Sequence, residues 1–310
     1  MKISNNFGFP SSIVRAVEKE YTYQDKRYSV TTLLQTDREM ILKRRYNDII
    51  EQDVSNMIWL LFGTSVHYIL ENIELEPHEK VEYKMEYTLD SGYTLSGVLD
   101  YISDKDELIL DYKVVKTYSY IFDKYNEKYR KQLQMCAWLY YKETGKWYNK
   151  GQIIMIFKDW NKNETLKNKD YPLYPVGTVD FDLGTPEEIE SWIIKRFERV
   201  AELEKMSDFE LPLCTEEERF NKGDTYAVKK KANKTATKVH KTLEEAREHL
   251  INLEMKYPNV YEIEERKGED SKCLNYCSCN KQCPYYLMNY DKDIRDIHFE
   301  LAGENVNGND

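Results

Sequence analysis

The stretch YTLSGVLDYISDKDELILDYKVV, residues 93–115, decides the fold. Apolar and polar positions alternate in YTLSGVLDYI and again in ELILDYKVV, and SDKDE between them is a turn signal, so the segment reads as a β-hairpin. Upstream, VEYKMEYTL and the turn DSG add a strand, which makes the region from about Glu79 to Lys116 a three-strand meander. Asp100 falls near the end of the second strand and Asp111 near the end of the third. Closing the hairpin sets the two carboxylates side by side at one sheet edge, an arrangement that makes a divalent-cation site. Two-residue spacing puts Asp111 and Lys113 on one strand face, with Leu108, Leu110 and Tyr112 on the other. Hard carboxylate oxygens favour Mg²⁺ or Mn²⁺, ions that act on phosphodiesters by activating water and neutralising charge. A lysine beside them is a compact charge suited to holding and polarising that water.

Working outward, helical periodicity runs over residues 13 to 50, with Ser29 or Thr31 as caps, and a second helix spans about Asp53 to Ile73 through MIWLLFGTSVHYILE. His67 on that helix adds a nitrogen ligand. After the meander, NEKYRKQLQMCAWLYYKETG reads as a helix closed by Gly145, and GQIIMIFKDW as a buried strand. TVDFDL is a further strand, and the helix from Thr185 opens with a cap, Pro186 and acidic residues. Helix, three strands, helix, strand describes an α/β sandwich with a mixed sheet.

The 310 residues carry 41% hydrophobic content, enough for a buried core, so wholesale disorder is excluded. The 26 tyrosines read as half-buried packing residues, with base stacking the minority role. No segment approaches the ~18 apolar residues of a membrane span, and no secretory leader is evident, so a cytoplasmic protein is expected. The net charge of −10 argues against a protein that coats nucleic acid. A local basic strip does exist: Lys222 to Lys241 holds seven lysines against one aspartate. It reads equally as a charged hairpin or as a strand guide.

The ordered series Gly63-Thr64-Ser65-Val66-His67 with Glu71, then Gly97-Val98-Leu99-Asp100, then Asp111-Tyr112-Lys113, then Gln132-Leu133 on a helix, resembles the RecB-like branch of the PD-(D/E)XK nucleases. The match covers roughly residues 29 to 160. The resemblance implies a restriction-endonuclease-like core with a mixed central sheet flanked by helices, metal binding by His67, Asp100, Asp111 and the Tyr112 carbonyl, and a catalytic Lys113. It implies that Gln132 contacts DNA or the site, and Lys229, Lys230 and Lys231 of the basic strip are added as DNA contacts. The family's Gln-x-x-x-Tyr becomes Gln132-x-x-x-Cys136 here, so the tyrosine's role is either missing or supplied by a neighbour such as Tyr140, and Cys136 reads as core.

Four of the six cysteines lie within eleven residues, Cys273, Cys277, Cys279 and Cys283, with Pro284 following. Such thiols in a reducing compartment point to a structural metal, and a local four-cysteine zinc site is one assignment. RecB-type and CRISPR-adaptation nucleases that resemble this chain carry an iron–sulfur cluster held by one distant and three C-terminal cysteines. The resemblance therefore implies a [4Fe-4S] cluster on Cys214, Cys273, Cys277 and Cys283. The expected organisation is an N-terminal helical region (1–52), a nuclease core (53–206), a small Lys-rich and cysteine-bearing C-terminal subdomain (207–290) and a tail (291–310). The expected activity is metal-dependent deoxyribonuclease, exonuclease ahead of endonuclease, on single strands or duplex ends. As in phage-encoded relatives, the expected setting is recombination or repair with protein partners. The alternative is a catalytically silent DNA-binding or adaptor protein on the same fold.

Overall fold

A computed structural model of the chain describes residues 1–18, 23–123 and 126–291; most of the expected tail lies outside them. The chain divides into two compact units, Met1–Met206 and Ser207–Asp310. The first unit runs β1 (Lys2–Ser4), α1 (Ser11–Val17), β2 (Arg27–Ser29), α2 (Val30–Leu33), α3 (Asp37–Arg45), β3 (Glu51–Asp53), α4 (Val54–Glu71), β4 (Glu79–Thr88), β5 (Thr94–Ser103) and β6 (Leu108–Val115). It continues with α5 (Thr117–Ile121), α6 (Asn126–Thr144), β7 (Lys150–Phe157), β8 (Val176–Asp182) and α7 (Pro186–Leu203).

Local chemistry explains the boundaries. Asp53 caps α4 by accepting the Ser55 N–H, and Thr185 with Glu188 closes a capping box on α7, with Pro186 in its first turn. Gly145 ends α6 at φ 75°, a left-handed conformation that glycine adopts without steric cost. Residues 13 to 50 are not one helical run. Ser29 does cap a helix, the short α2, but Arg27–Ser29 immediately before it pairs in parallel with Thr94–Ser96. Sheet pairing there overrides the helical period.

The central sheet has the order β2-β5-β6-β7-β8, with β4 on the other edge of β5. It is mixed: β4, β5 and β6 form the antiparallel meander, β6 and β7 are parallel, and β8 is antiparallel to β7. Helices flank it. α6 packs across β4 to β7, α7 packs on α6, and α4 packs on β4 and β6. The core is dense around α6, whose residues Leu133 to Tyr140 are all buried, while α7 turns Ile189, Ile193, Phe197, Val200 and Leu203 inward.

The second unit holds β9 (Thr225–Lys230), β10 (Ala236–His240), α8 (Leu243–Glu254), β11 (Tyr261–Arg266), α9 (Ser271–Asn275) and α10 (Pro284–Tyr290). Its antiparallel sheet, ordered β10-β9-β11, packs α8 over Val228, Ala246 and Tyr261. The Lys-rich strip is thus a β-hairpin. Among the described residues no helix is long and apolar enough to cross a membrane.

Candidate functional site

The site begins with an interruption in the sheet. β4 occupies one edge of β5 along its length. On the other edge β2 pairs with residues 94–96 and β6 with residues 101–103, which leaves Gly97-Val98-Leu99-Asp100 between them. Asp111 is the fourth residue of β6 rather than near its end. It nevertheless meets Asp100, because the β5–β6 ladder stops at Tyr101 and Leu110, one residue short of both carboxylates. Gly97 has no room for a side chain: a Cβ there would fall 2.9 Å from Leu139 and 3.1 Å from Val30.

Asp100 Oδ2 accepts the backbone N–H of Tyr112 at 2.7 Å. His67, from α4, directs Nδ1 to Asp100 Oδ1 at 3.6 Å and to Glu82 Oε1 at 3.3 Å. One ligand atom each from His67, Glu82 and Asp100 lies within 4.8 Å of the others. Glu82 sits on β4 between the pairs Val81–Tyr101 and Tyr83–Leu99, directly across from Asp100. Its φ is 45°, a conformation that costs a non-glycine residue free energy and that clusters at functional sites.

Asp111 is 3% exposed. Its Oδ1 accepts from Gln132 Nε2 at 2.6 Å, and Lys113 Nζ stands 2.5 Å from Oδ2. That ion pair lacks hydrogen-bond alignment, so the buried Oδ2 keeps a lone pair to offer. Burial, and then the facing Asp111 carboxylate, push the Asp100 carboxyl well above the usual carboxylate range. His67, Glu82 and Asp100 around one point, with the buried Asp111 carboxylate adjoining them, are a hard donor set that fits Mg²⁺ or Mn²⁺. A divalent cation there would relieve the repulsion and use the open lone pair. His67, Asp100, Asp111, Lys113 and Gln132 line a cleft of about 890 Å³, whose further charged lining is Arg27, Lys84 and Lys142 against Glu86 and Glu143.

A second cluster lies in the C-terminal unit. None of the six cysteines forms a disulfide. Burial pushes the Cys273 thiol up to about 12, and Asp270, Cys277, Cys214 and Cys283 each push the same way, which brings the distant Cys214 together with the C-terminal trio. Cys277 and Cys279 approach to 3.6 Å. A tetrahedral zinc with ~2.3 Å bonds sets its sulfurs roughly 3.8 Å apart. The Cys277–Cys279 approach is close to that spacing.

Asp270 holds this cluster's backbone in place. It is fully buried and accepts from Arg219 Nε at 3.0 Å, Asn221 Nδ2 at 2.7 Å, Tyr285 Oη at 2.7 Å and Tyr290 Oη at 2.9 Å. Arg219 also donates to the Cys214 carbonyl. One carboxylate thereby joins the three segments that carry Cys214, Cys273 and Cys283.

No family model matches the chain, and no curated protein matches it. Among solved structures, the protein designated SSO0001 is 16% identical with a TM-score of 0.45, over 66% of this chain and 91% of that one. A phage-related exonuclease from Haemophilus somnus 129PT is 17% identical with a TM-score of 0.32, over 63% of this chain and 90% of that one. Neither likeness is strong enough to carry an assignment.

The structure therefore gathers His67, Asp100, Asp111, Lys113 and Gln132 into one cleft, with the Tyr112 backbone bonded to Asp100 beside it. Glu82 joins them although no motif marked it; counting back across the short turn at Gly92 from Asp100 would have found it. Glu71 stands exposed at the end of α4. Tyr140 does not replace the missing tyrosine: its hydroxyl donates to Asp104 at 2.7 Å and accepts from Lys80 at 2.9 Å. Cys136 is buried, directed at the Val98 carbonyl behind the cleft. Lys229, Lys230 and Lys231 belong to the other unit. There Lys229 pairs with Glu262 and Glu264 across the sheet, and Lys231 with Asn259.

Proposed function

We propose that this chain is a divalent-metal-dependent nuclease with a restriction-endonuclease-like core, hydrolysing DNA phosphodiester bonds. The observation that carries the reading is the Asp100–Asp111 pair, buried side by side with the Lys113 ammonium on Asp111. His67, Glu82, Asp100 and Asp111 would hold the cation, with the Tyr112 carbonyl as a further ligand. When bound, such an ion lowers the pKa of water and neutralises charge on the phosphate.

The chain's own groups do the rest. Lys113 Nζ, a compact hydrogen-bond donor, orients the attacking water and stabilises charge gathering on the phosphate oxygens. Asp111 holds Lys113, and Gln132 fixes the plane of Asp111. All of these lie on regular strands and a helix, which gives the rigid placement such chemistry needs. Exonuclease action on DNA ends, a role in recombination or repair with protein partners, and a phage setting rest on the motif resemblance. For the thiols, we propose a [4Fe-4S] cluster on Cys214, Cys273, Cys277 and Cys283, a choice over zinc that rests on the motif resemblance. Lys229, Lys230 and Lys231 keep their proposed DNA contact, Lys230 carrying most of it because its neighbours are paired.

The test is Mn²⁺- and Mg²⁺-dependent cleavage of end-labelled single- and double-stranded DNA. Wild type should cleave. Asp111→Ala should not, and Lys113→Ala should lose about 10²–10³ in rate while retaining metal and DNA binding. No cleavage by folded, metal-loaded wild type would shift the reading to a silent DNA-binding protein.

A further inference from the structure

α4 presents an unusual surface. From Val54 to Leu70 it contains no Asp, Glu, Lys or Arg, yet Trp59 is 60% exposed and Phe62 50%. Their rings form a tilted pair with centroids 5.5 Å apart. A second exposed pair stands on α5, immediately after the strand that carries Asp111 and Lys113. Tyr118 and Phe122 are 53% and 63% exposed, with centroids 4.6 Å apart. Lys158 stands against the first pair and beside the strand end that leads into α5. Its backbone N–H donates to the Val115 carbonyl, two residues before α5, and its ammonium sits 4.4 Å from the centroid of the Trp59 ring.

We propose that these four rings, with Lys158, are a stacking platform for the bases of single-stranded DNA entering the metal cleft. The proposal deepens the nuclease reading and rests on it for the identity of the polymer. Thr117 is four steps along the chain from Lys113, roughly 13 Å if extended, so a single strand stacked on α5 reaches the carboxylates within a few nucleotides. Exposed rings with a neighbouring cation are the recurring device for binding single strands, because every base has a π-face to stack. A duplex hides those faces in its own stack, so the platform selects single strands or frayed ends. On a chain of net charge −10, the carboxylate-free stretch from Val54 to Leu70 is also a surface that does not repel phosphate. The aliphatic side chains that α4 also exposes, Leu60 and Ile69, make protein docking the competing use of this face.

The experiment measures binding of the full chain to a labelled single-stranded oligonucleotide and to the blunt duplex of the same sequence, by fluorescence anisotropy in EDTA. Trp59→Leu and Phe122→Leu keep apolar bulk and remove the π-face; Trp59→Phe restores a ring. Each Leu variant should weaken single-strand binding about ten-fold, Trp59→Phe should stay close to wild type, and duplex binding should not move. Unchanged single-strand affinity in both Leu variants overturns the platform, and a simultaneous loss of self-association in sedimentation velocity would assign the face to protein docking. If wild type cleaves DNA while the Leu variants bind and cleave single strands as it does, the platform falls and the nuclease reading stands. If wild type cleaves nothing, the nuclease reading falls, and the platform is upheld or overturned by the anisotropy data alone.

Discussion

Gln132 Nε2 donates to Asp111 Oδ1 at 2.6 Å, so a helix side chain spends its amide on orienting a strand carboxylate. Its role is therefore to position Asp111. Gln132→Ala should slow single-turnover cleavage by roughly ten-fold, less than the loss for Lys113→Ala, and should raise the Mn²⁺ concentration needed for half-maximal rate. DNA affinity measured in EDTA should not change. A large drop in that affinity would mean that the amide contacts the strand directly.

Asp100 is held where its charge is disfavoured, by burial and by Asp111. Asp100→Asn keeps an acceptor for the Tyr112 N–H and removes one of the two like charges. Without metal this variant should melt about 2 °C or more above wild type. It should also lose the thermal shift that Mn²⁺ gives wild type. Equal Mn²⁺ shifts in both proteins would remove Asp100 from the ligand set.

Asp270 is the only carboxylate facing the Arg219 guanidinium among the ion pairs described in its unit. Removing one partner of a buried charge pair strands the other, at a cost of about 3–5 kcal/mol. Asp270→Ala should lower the unfolding midpoint of the C-terminal unit and release Cys214 from the trio. It should show as faster thiol labelling by a disulfide reagent and as lost absorbance near 400 nm in anaerobically purified protein. Unaltered labelling would mean that the thiols hold together without this carboxylate.

Asp104 carries the pH dependence. Burial raises its carboxyl, but hydrogen bonds from Lys146, Tyr140, Tyr148 and Lys80 outweigh burial and hold it well below its ordinary value of 3.8. A depressed folded-state pKa contributes stability that is complete above pH 3.8 and is lost as pH falls through the folded value. Urea midpoints of wild type should therefore drop below pH 3.8 more steeply than those of Asp104→Asn. Parallel curves would show that the network contributes nothing through charge.

The meander, α6, β7 and α7 were legible because each combines a clear period with its own turn or cap: DSG before β5, Gly145 after α6, Thr185 before α7. The row of Asp100, Asp111 and Lys113 was legible for the same reason, since hairpin closure and two-residue spacing are local geometry. β2 was hidden because three residues pair with a strand 67 positions away, and nothing in Arg27-Tyr28-Ser29 announces that partner. Glu82 was hidden by its backbone: a left-handed residue inside an alternating strand leaves no mark on the alternation. The fate of Tyr140 was equally non-local, being settled by Asp104 and Lys80 rather than by its own helix.

The four residues of β5 between its two partners have one further consequence. A strand bonded on one edge only leaves every second N–H without a ladder partner. Amide exchange is ordinarily fastest at the frayed ends of a sheet and slowest at its middle. Along β5 the order should invert, with protection at Leu95 and Ile102 and a dip between Gly97 and Asp100. Solvent would then reach the centre of the sheet before its rim, at the row of backbone that carries Asp100.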